Sequence, residues 1–283
     1  MLKKGPDSPF AQGNRYRYDH PRLFPDVLND MVMGDDDLGA GDGLRPPSLT
    51  LLDGTRIDSW QSADERPTLI VFGSRTCPVT ISAAPALVRL HGRFGNVARF
   101  LLVYVREAHP GGSIPQPKTL EQKLLHAAAL KAELRLPFEV AVDDIDGGLH
   151  RELGARPNSA YLVAADGVIL FRAQWANVHR PLERALADLA ATRPIRLREA
   201  TSTMTAVARM IGFMTPVHAA AGKGARRDTW KVMPPLGLMM LISSAFFFLP
   251  RAWRGAPTII LTMTLMLAAT AGVVHLFGGP PPY

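Results

Sequence analysis

The chain of 283 residues carries a single cysteine. Cys77 lies in the run Ser74-Arg75-Thr76-Cys77-Pro78, directly after the apolar stretch 66–74. A thiol at a strand-to-helix corner faces the unpaired backbone N–H groups and the positive end of the helix macrodipole. Both favour sulfur as an anion, so the thiol is expected to ionise below the roughly 8.5 of a free cysteine. Pro78 then occupies the first helical position, where its fixed φ sets the turn and its missing N–H costs little. An ionised thiol of this kind is a nucleophile towards soft electrophiles. The other common fate of a lone cysteine is burial as an inert small apolar residue. That fate predicts a place inside a strand or on the apolar face of a helix, not a Thr-Cys-Pro corner. With one cysteine no intrachain disulfide can form, which fits a reducing compartment. Any sulfenyl, sulfenic or mixed-disulfide product on Cys77 must be resolved by an external thiol.

The elements that must hold this sulfur are readable from apolar patterning. "SLTLLDGTRIDSW" is two short strands around Asp53-Gly54, a hairpin signal. Residues 66–74 and 98–107 are near-continuous apolar runs, as in strands buried on both faces. Between them "VTISAAPALVRLHGRFG" is helical. Residues 119–134 form a second helix with Thr119 as N-cap, "PFEVAVDD" a third strand and "GGLHRELG" a short helix. Residues 159–175 are two strands about an Asp-Gly turn, and "HRPLERALADLAA" is an amphipathic helix. A short helix is expected after Pro25. The order gives an α/β fold: a mixed sheet with helices on both faces, opened by a β-hairpin. Pro157 shortly precedes a strand, the position from which thioredoxin-like folds present a cis-proline loop to the active cysteine.

The run "VFGSRTCPVTISAAPALVRLHGRFGNVARFLLVYVREAHPGG" (71–112) resembles the iodothyronine deiodinases and their bacterial, cysteine-containing relatives. Gly73, Ser74, Thr76, Cys77, Pro78, Leu87, Val88, Phe100, Leu101, Tyr104, Glu107, Ala108, His109 and Pro110 carry the resemblance. It implies a thioredoxin-like fold and reductive removal of a halogen from a phenolic ring, with Cys77 as nucleophile and Glu107 and His109 in the site. Both follow the strand beside the cysteine's own, so they reach the same end of the sheet. His109 would donate a proton or support the thiolate, and Glu107 would orient it. Ser74, Thr76, Pro78 and Pro157 are supporting residues. The sequence departs from the family at four places: sulfur stands for selenium, Val79-Thr80 follows Pro78 where Pro-Phe is frequent, Gly111-Gly112 follows His109-Pro110 where Asp-Gly-Trp is common, and the apolar segments lie at the C-terminal rather than the N-terminal side. A thiol peroxidase of the peroxiredoxin type is the nearest alternative. Its Pro-x-x-x-Thr/Ser-x-x-Cys pattern is half present, with Ser74 at the hydroxyl position and Ile70 at the proline position. A non-catalytic thioredoxin-fold module in a membrane complex is the alternative of a different class.

Residues 232–250 and 255–283 contain no Asp, Glu, Lys or Arg, and each approaches the roughly 20 residues that span a bilayer. They read as a C-terminal transmembrane helical hairpin. Lys223, Arg226, Arg227 and Lys231 precede the first run, and Arg251 and Arg254 lie between the two. That distribution expects the soluble part in the cytoplasm and the anchor in the inner or cytoplasmic membrane. "MLKKGPDSPF" has no apolar h-region, so no signal peptide is expected. The expected domains are an irregular extension (1–43), a deiodinase-like domain (44–192), a connector with an interfacial helix (193–231) and two spans (232–283). The net charge of +7 fits a membrane surface. In the soluble part bases are interleaved with acids, against nucleic acid. His91, His126, His150 and His179 lack metal-ligand spacing and read as surface or helix-end residues. No bound cofactor or metal is expected. The expected partners are a small electrophile, a thiol reductant, membrane lipid, and either a second copy of the chain or a membrane protein.

Overall fold

The computed structural model describes residues 16, 31–34, 36–61 and 64–277, with side chains to 272. The helix expected after Pro25 lies outside the described residues.

The two runs of continuous apolar residues become the centre of the sheet. Strand β3 (Thr68–Gly73) is buried at every position and pairs in parallel with β4 (Arg99–Tyr104). Side chains alternate across a strand. Leu69 and Val71 accordingly point to one face with Phe100, Leu102 and Tyr104, and Ile70 and Phe72 to the other with Leu101 and Val103. The first face is covered by α1 (Pro78–Phe94), α2 (Leu120–Leu134) and α4 (His179–Ala190). The second is covered by α3 (Gly148–Glu152) and by Leu38, Leu44 and Trp60. Strand β5 (Glu139–Val142) adds in parallel beside β4. The hairpin β1 (Leu49–Leu51) and β2 (Arg56–Ile57) adds antiparallel beyond it, turning at Gly54 with φ +88. On the other side β6 (Ala160–Val163) runs antiparallel to β3, and β7 (Ile169–Ala173) antiparallel to β6. Strand β8 (Glu199–Ala200) closes that edge, and the order is β2-β1-β5-β4-β3-β6-β7-β8. The fold is thioredoxin-like, with the mixed sheet and the opening hairpin as expected.

The C-terminal part differs from expectation. Residues 203–221, assigned from sequence to a connector, form α5 (Thr203–Ala221), which packs along α1 with Ile211, Met214 and Ala221 fully buried. After α6 (Ala225–Val232) come α7 (Pro234–Ala245), a 3₁₀ turn at Arg251–Trp253 and α8 (Gly255–Phe277). Among the described residues only α8, over Gly255–Gly272, is a helix long and apolar enough to cross a membrane. The expected hairpin of two spans is therefore reduced to one candidate. The 12 residues of α7 extend about 18 Å, short of the roughly 30 Å hydrocarbon core. It packs instead on α5, α6 and α8, since Pro234 and Pro235 start it late and Phe246 ends it.

Candidate active site

Gly73 and Tyr104 are register partners at the carboxyl ends of β3 and β4. The segments that follow, 74–77 and 105–109, therefore leave the sheet side by side. Cys77 is the N-cap of α1 (φ −97, ψ 110) and Pro78 is its first residue. The turn is held by Cys77 N–H donating to Ser74 O at 3.3 Å. Thr80 folds back over the strand end: its Oγ1 accepts from Ser74 N at 3.3 Å and from Asn158 Nδ2 at 3.4 Å. Gly73 is glycine for this reason, because a Cβ there would lie 2.7 Å from Thr80 Cγ2.

Glu107 organises the corner from behind. It is fully buried. Its Oε2 accepts from Thr76 N at 3.0 Å and from Thr76 Oγ1 at 2.7 Å; its Oε1 accepts from the Tyr104 hydroxyl and lies 3.1 Å from His126 Nδ1. Thr76 Oγ1 already accepts from His109 N at 3.0 Å, and the Tyr104 oxygen accepts from Arg75 N at 3.3 Å. The Thr76 and Tyr104 hydroxyl protons are directed at Glu107, whose carboxyl oxygens accept them. Burial, and then the neighbouring Glu107, push the Tyr104 phenol well above its ordinary value, so it stays a donor. Gln116 fixes the backbone of Glu107 with a reciprocal pair, accepting from its N at 2.9 Å and donating to its O at 2.8 Å. Ala108 N donates to Ser74 Oγ at 3.2 Å. Every residue named from sequence at this corner is brought together, but in a different division of labour. Glu107 was expected to orient His109. It engages His126 and Thr76, and it does not line the cavity described next.

That cavity has a volume of about 320 Å³. Cys77, Pro78, His109 and Pro157 share its wall, so the nucleophile, the histidine and the proline loop meet at one space. Apart from Thr262 of α8 the rest of the wall is apolar, and includes Val79, Ala108 and Trp175 from the domain, Met210 from α5, Leu236 and Met239 from α7, and Met263 from α8. Cys77 is 2% exposed because α5 and α7 cover it. Trp175 is aligned by Nε1 donating to Thr203 Oγ1 at 3.1 Å, a bond that also ties the start of α5 to the domain.

The cover is fastened to the His109 loop. Gly112 N donates to Lys223 O at 2.9 Å, and Ser113 N to Ala221 O at 2.9 Å. A Cβ on Gly111 would lie 2.4 Å from the Ala221 carbonyl oxygen. The Gly-Gly departure from the family pattern thus permits close approach of this loop to the end of α5. The His109 ring meets His218 of α5 edge-on, centroids 4.7 Å apart. His218 in turn places Nδ1 3.2 Å from Met240 Sδ. Sequence reading missed His126, His218 and Trp175. Helical spacing makes His126 resemble a surface residue, and nothing local in the sequence pairs His218 with a loop more than 100 positions away.

Residues 39–176 match the family model described as iodothyronine deiodinase. The chain is 30% identical over 114 residues to the thyroxine 5-deiodinase of Sparus aurata, covering 37% of this chain and 42% of that protein. It is 34% identical over 127 residues to the human type II iodothyronine deiodinase, covering 40% and 44%. The chain thus spans less than half the length of these two curated relatives. Among solved structures it is similar to an uncharacterized conserved protein of Geobacillus kaustophilus, with TM-score 0.45, 18% identity and coverage of 59% and 93%. Cys77, Glu107, His109 and Pro157 all fall inside the matched segment, and residues 39–176 are accordingly a domain of the deiodinase-like family on a thioredoxin-like sheet.

Proposed function

We propose that the chain is a thiol-dependent oxidoreductase in which the Cys77 thiolate reduces a small soft electrophile, by reductive dehalogenation of an aromatic ring. The observation that supports this reading is the placement of Cys77 at the N-cap of α1, on the wall of a cavity it shares with His109 and Pro157. The sulfur attacks the halogen. The S–X bond forms, the C–X bond breaks and its electron pair remains on the ring carbon. That carbon takes a proton, for which His109 is the donor facing the same space. The first external thiol displaces halide from sulfur and leaves a mixed disulfide. A second thiol releases Cys77 and an external disulfide. The balance is one aryl halide and two thiols giving one arene, one hydrogen halide and one disulfide. No second cysteine exists to replace the external thiol.

Glu107 acts as a positioning residue through Thr76, whose N–H and hydroxyl it holds. Helix α8 anchors the chain in the cytoplasmic membrane, with the α/β domain on the cytoplasmic side. The basic residues Arg226, Arg227, Lys231, Arg251 and Arg254 before α8 support this orientation. The test is a thiol-dependent turnover screen with halogenated phenols and organic hydroperoxides on wild type and Cys77→Ser. Halide release that requires Cys77 is expected. Turnover of hydroperoxides alone would replace dehalogenation with peroxide reduction. Turnover unchanged in Cys77→Ser would end the thiol reading.

A further inference from the structure

Thioredoxin-like sheets present the cysteine at the edge of the fold, where water ordinarily reaches it. Here that edge is roofed by α5 and α7, and α8 supplies the outer wall of the cavity through Ile259, Thr262, Met263 and Met266. The rim can be located from the wall residues that are also exposed: Pro235, Met204 at 66%, Met263 at 58% and Met266 at 54%. Three of the four are methionines, and two of these belong to the helix that is long and apolar enough to cross a membrane. Ile259 to Met266 lie roughly 6 to 17 Å along α8 from Gly255, at 1.5 Å per residue. The helix beyond them, to Gly272, is exposed along its described length. Phe247, Phe248 and Trp253, just before α8, are exposed aromatics beside Arg251 and Arg254. That grouping is the signature of a membrane–water interface.

From this geometry we infer that the Cys77 cavity opens sideways into the lipid phase, and that its substrate is an uncharged, chiefly apolar molecule dissolved in the bilayer. The inference rests on the thiol reading above and specifies its substrate class and its route of entry. A cavity of about 320 Å³ is at the small end of ligand sites, sufficient for an aromatic group with an alkyl tail trailing out through the rim. Unbranched methionines make a rim that can part and re-close around such a tail. A charged molecule arriving from water would have to shed its hydration against a wall that offers almost no polar atoms. A molecule already in hydrocarbon meets no such barrier.

The test uses the full chain reconstituted in nanodiscs, with two thiol reagents. One is N-hexadecylmaleimide preloaded in the same bilayer, whose aqueous concentration is negligible. The other is a sulfonated methanethiosulfonate that does not partition. Labelling of Cys77, the sole thiol, is followed by intact mass, with denatured protein as the control that both reagents react. The bilayer reagent is expected to label Cys77 at least about tenfold faster, relative to its rate on denatured protein, than the sulfonated one. Met263→Trp and Met266→Trp, bulkier at exposed rim positions, are expected to slow the bilayer reagent severalfold. If the sulfonated reagent labels as readily, access is from water and the inference fails while the thiol reading stands. If neither labels the folded protein, side chains seal the sulfur and both fail. Failure of the chain to float with lipid overturns the bilayer route alone.

Discussion

Replacing Glu107 with Gln probes the corner most directly, because the change is isosteric and its cost can be worked from the bonds. The carboxylate accepts from Thr76 N, from the Thr76 hydroxyl and from the Tyr104 hydroxyl, and His126 Nδ1 lies at 3.1 Å. Both hydroxyls accept a backbone N–H and give their single proton to the carboxylate. An amide has one acceptor oxygen. Whichever way it is turned, its NH₂ faces a hydroxyl, and one buried O–H is left without an acceptor at a cost of about 1–3 kcal/mol. The bonds that survive lose their charge assistance, together about 1 kcal/mol more. Glu107→Gln is therefore expected to destabilise the fold by about 2–4 kcal/mol. At roughly 2–4 °C per kcal/mol for a protein of this size, Tm should fall by about 5–15 °C in thermal unfolding followed in detergent. Because Glu107 is behind the cavity wall, KM for an apolar substrate should change little while kcat falls. Cys77 alkylation in the folded state should slow in parallel. A Glu107→Gln protein with unchanged Tm and unchanged Cys77 reaction rate would refute the assignment of this carboxylate to the corner.

Three further outcomes follow from the same structure. Gly111→Ala puts a Cβ 2.4 Å from the Ala221 carbonyl oxygen, so the His109 loop must pull away from α5. We expect a loss of about 1–3 kcal/mol together with faster labelling of Cys77 by charged reagents; a tighter, equally stable variant would show that the loop does not fasten the cover. His150 is fully buried between the Tyr16 hydroxyl and the Arg156 carbonyl, each at 2.8 Å, and burial holds its pKa well below the ordinary value. Above pH about 6.5 both folded and unfolded states carry it neutral. Below that the unfolded chain takes a proton the folded one refuses, so stability falls as pH falls, with a slope of up to about 1.36 kcal/mol per pH unit. His150→Gln should lessen that slope between pH 6.5 and 5 in denaturant titrations, and an identical slope would contradict the assignment. Asp37→Ala strands the buried guanidinium of Arg156, its partner at 2.6 Å, and should cost about 3–5 kcal/mol; equilibrium unfolding that shows less than 1 kcal/mol would place that pair in water.

The sheet was readable in the sequence because its strands obey local rules. Residues 68–73 and 99–104 are unbroken apolar runs, and Asp53-Gly54 and Asp166-Gly167 mark the hairpins. The cap of α2 was equally local: Thr119 Oγ1 accepts from Gln122 N at 3.3 Å. The corner residues were found as well, because Thr76-Cys77-Pro78 and Glu107-Ala108-His109 each follow a recognisable strand. The cover was not. Residues 203–221 and 234–245 carry the generic apolar composition of membrane segments, and only long-range packing shows that Met210 and Ile211 pack with Cys77. The role of Glu107 was also hidden, because its hydrogen-bond partners are dispersed over 50 positions between Thr76 and His126 and join only when β3, β4 and α2 assemble. Gly111-Gly112 looked like a mere departure from a motif until the Ala221 carbonyl was seen against it.

The central claim is that the Cys77 sulfur takes the halogen. It is tested by a single turnover of an iodinated phenol, with one equivalent of reductant thiol and intact mass spectrometry. The account predicts one iodide released, the deiodinated phenol formed and one thiol adduct on Cys77, with all three abolished in Cys77→Ser. Iodide released in equal yield by Cys77→Ser, or by wild type with the sulfur unmodified throughout, would contradict it.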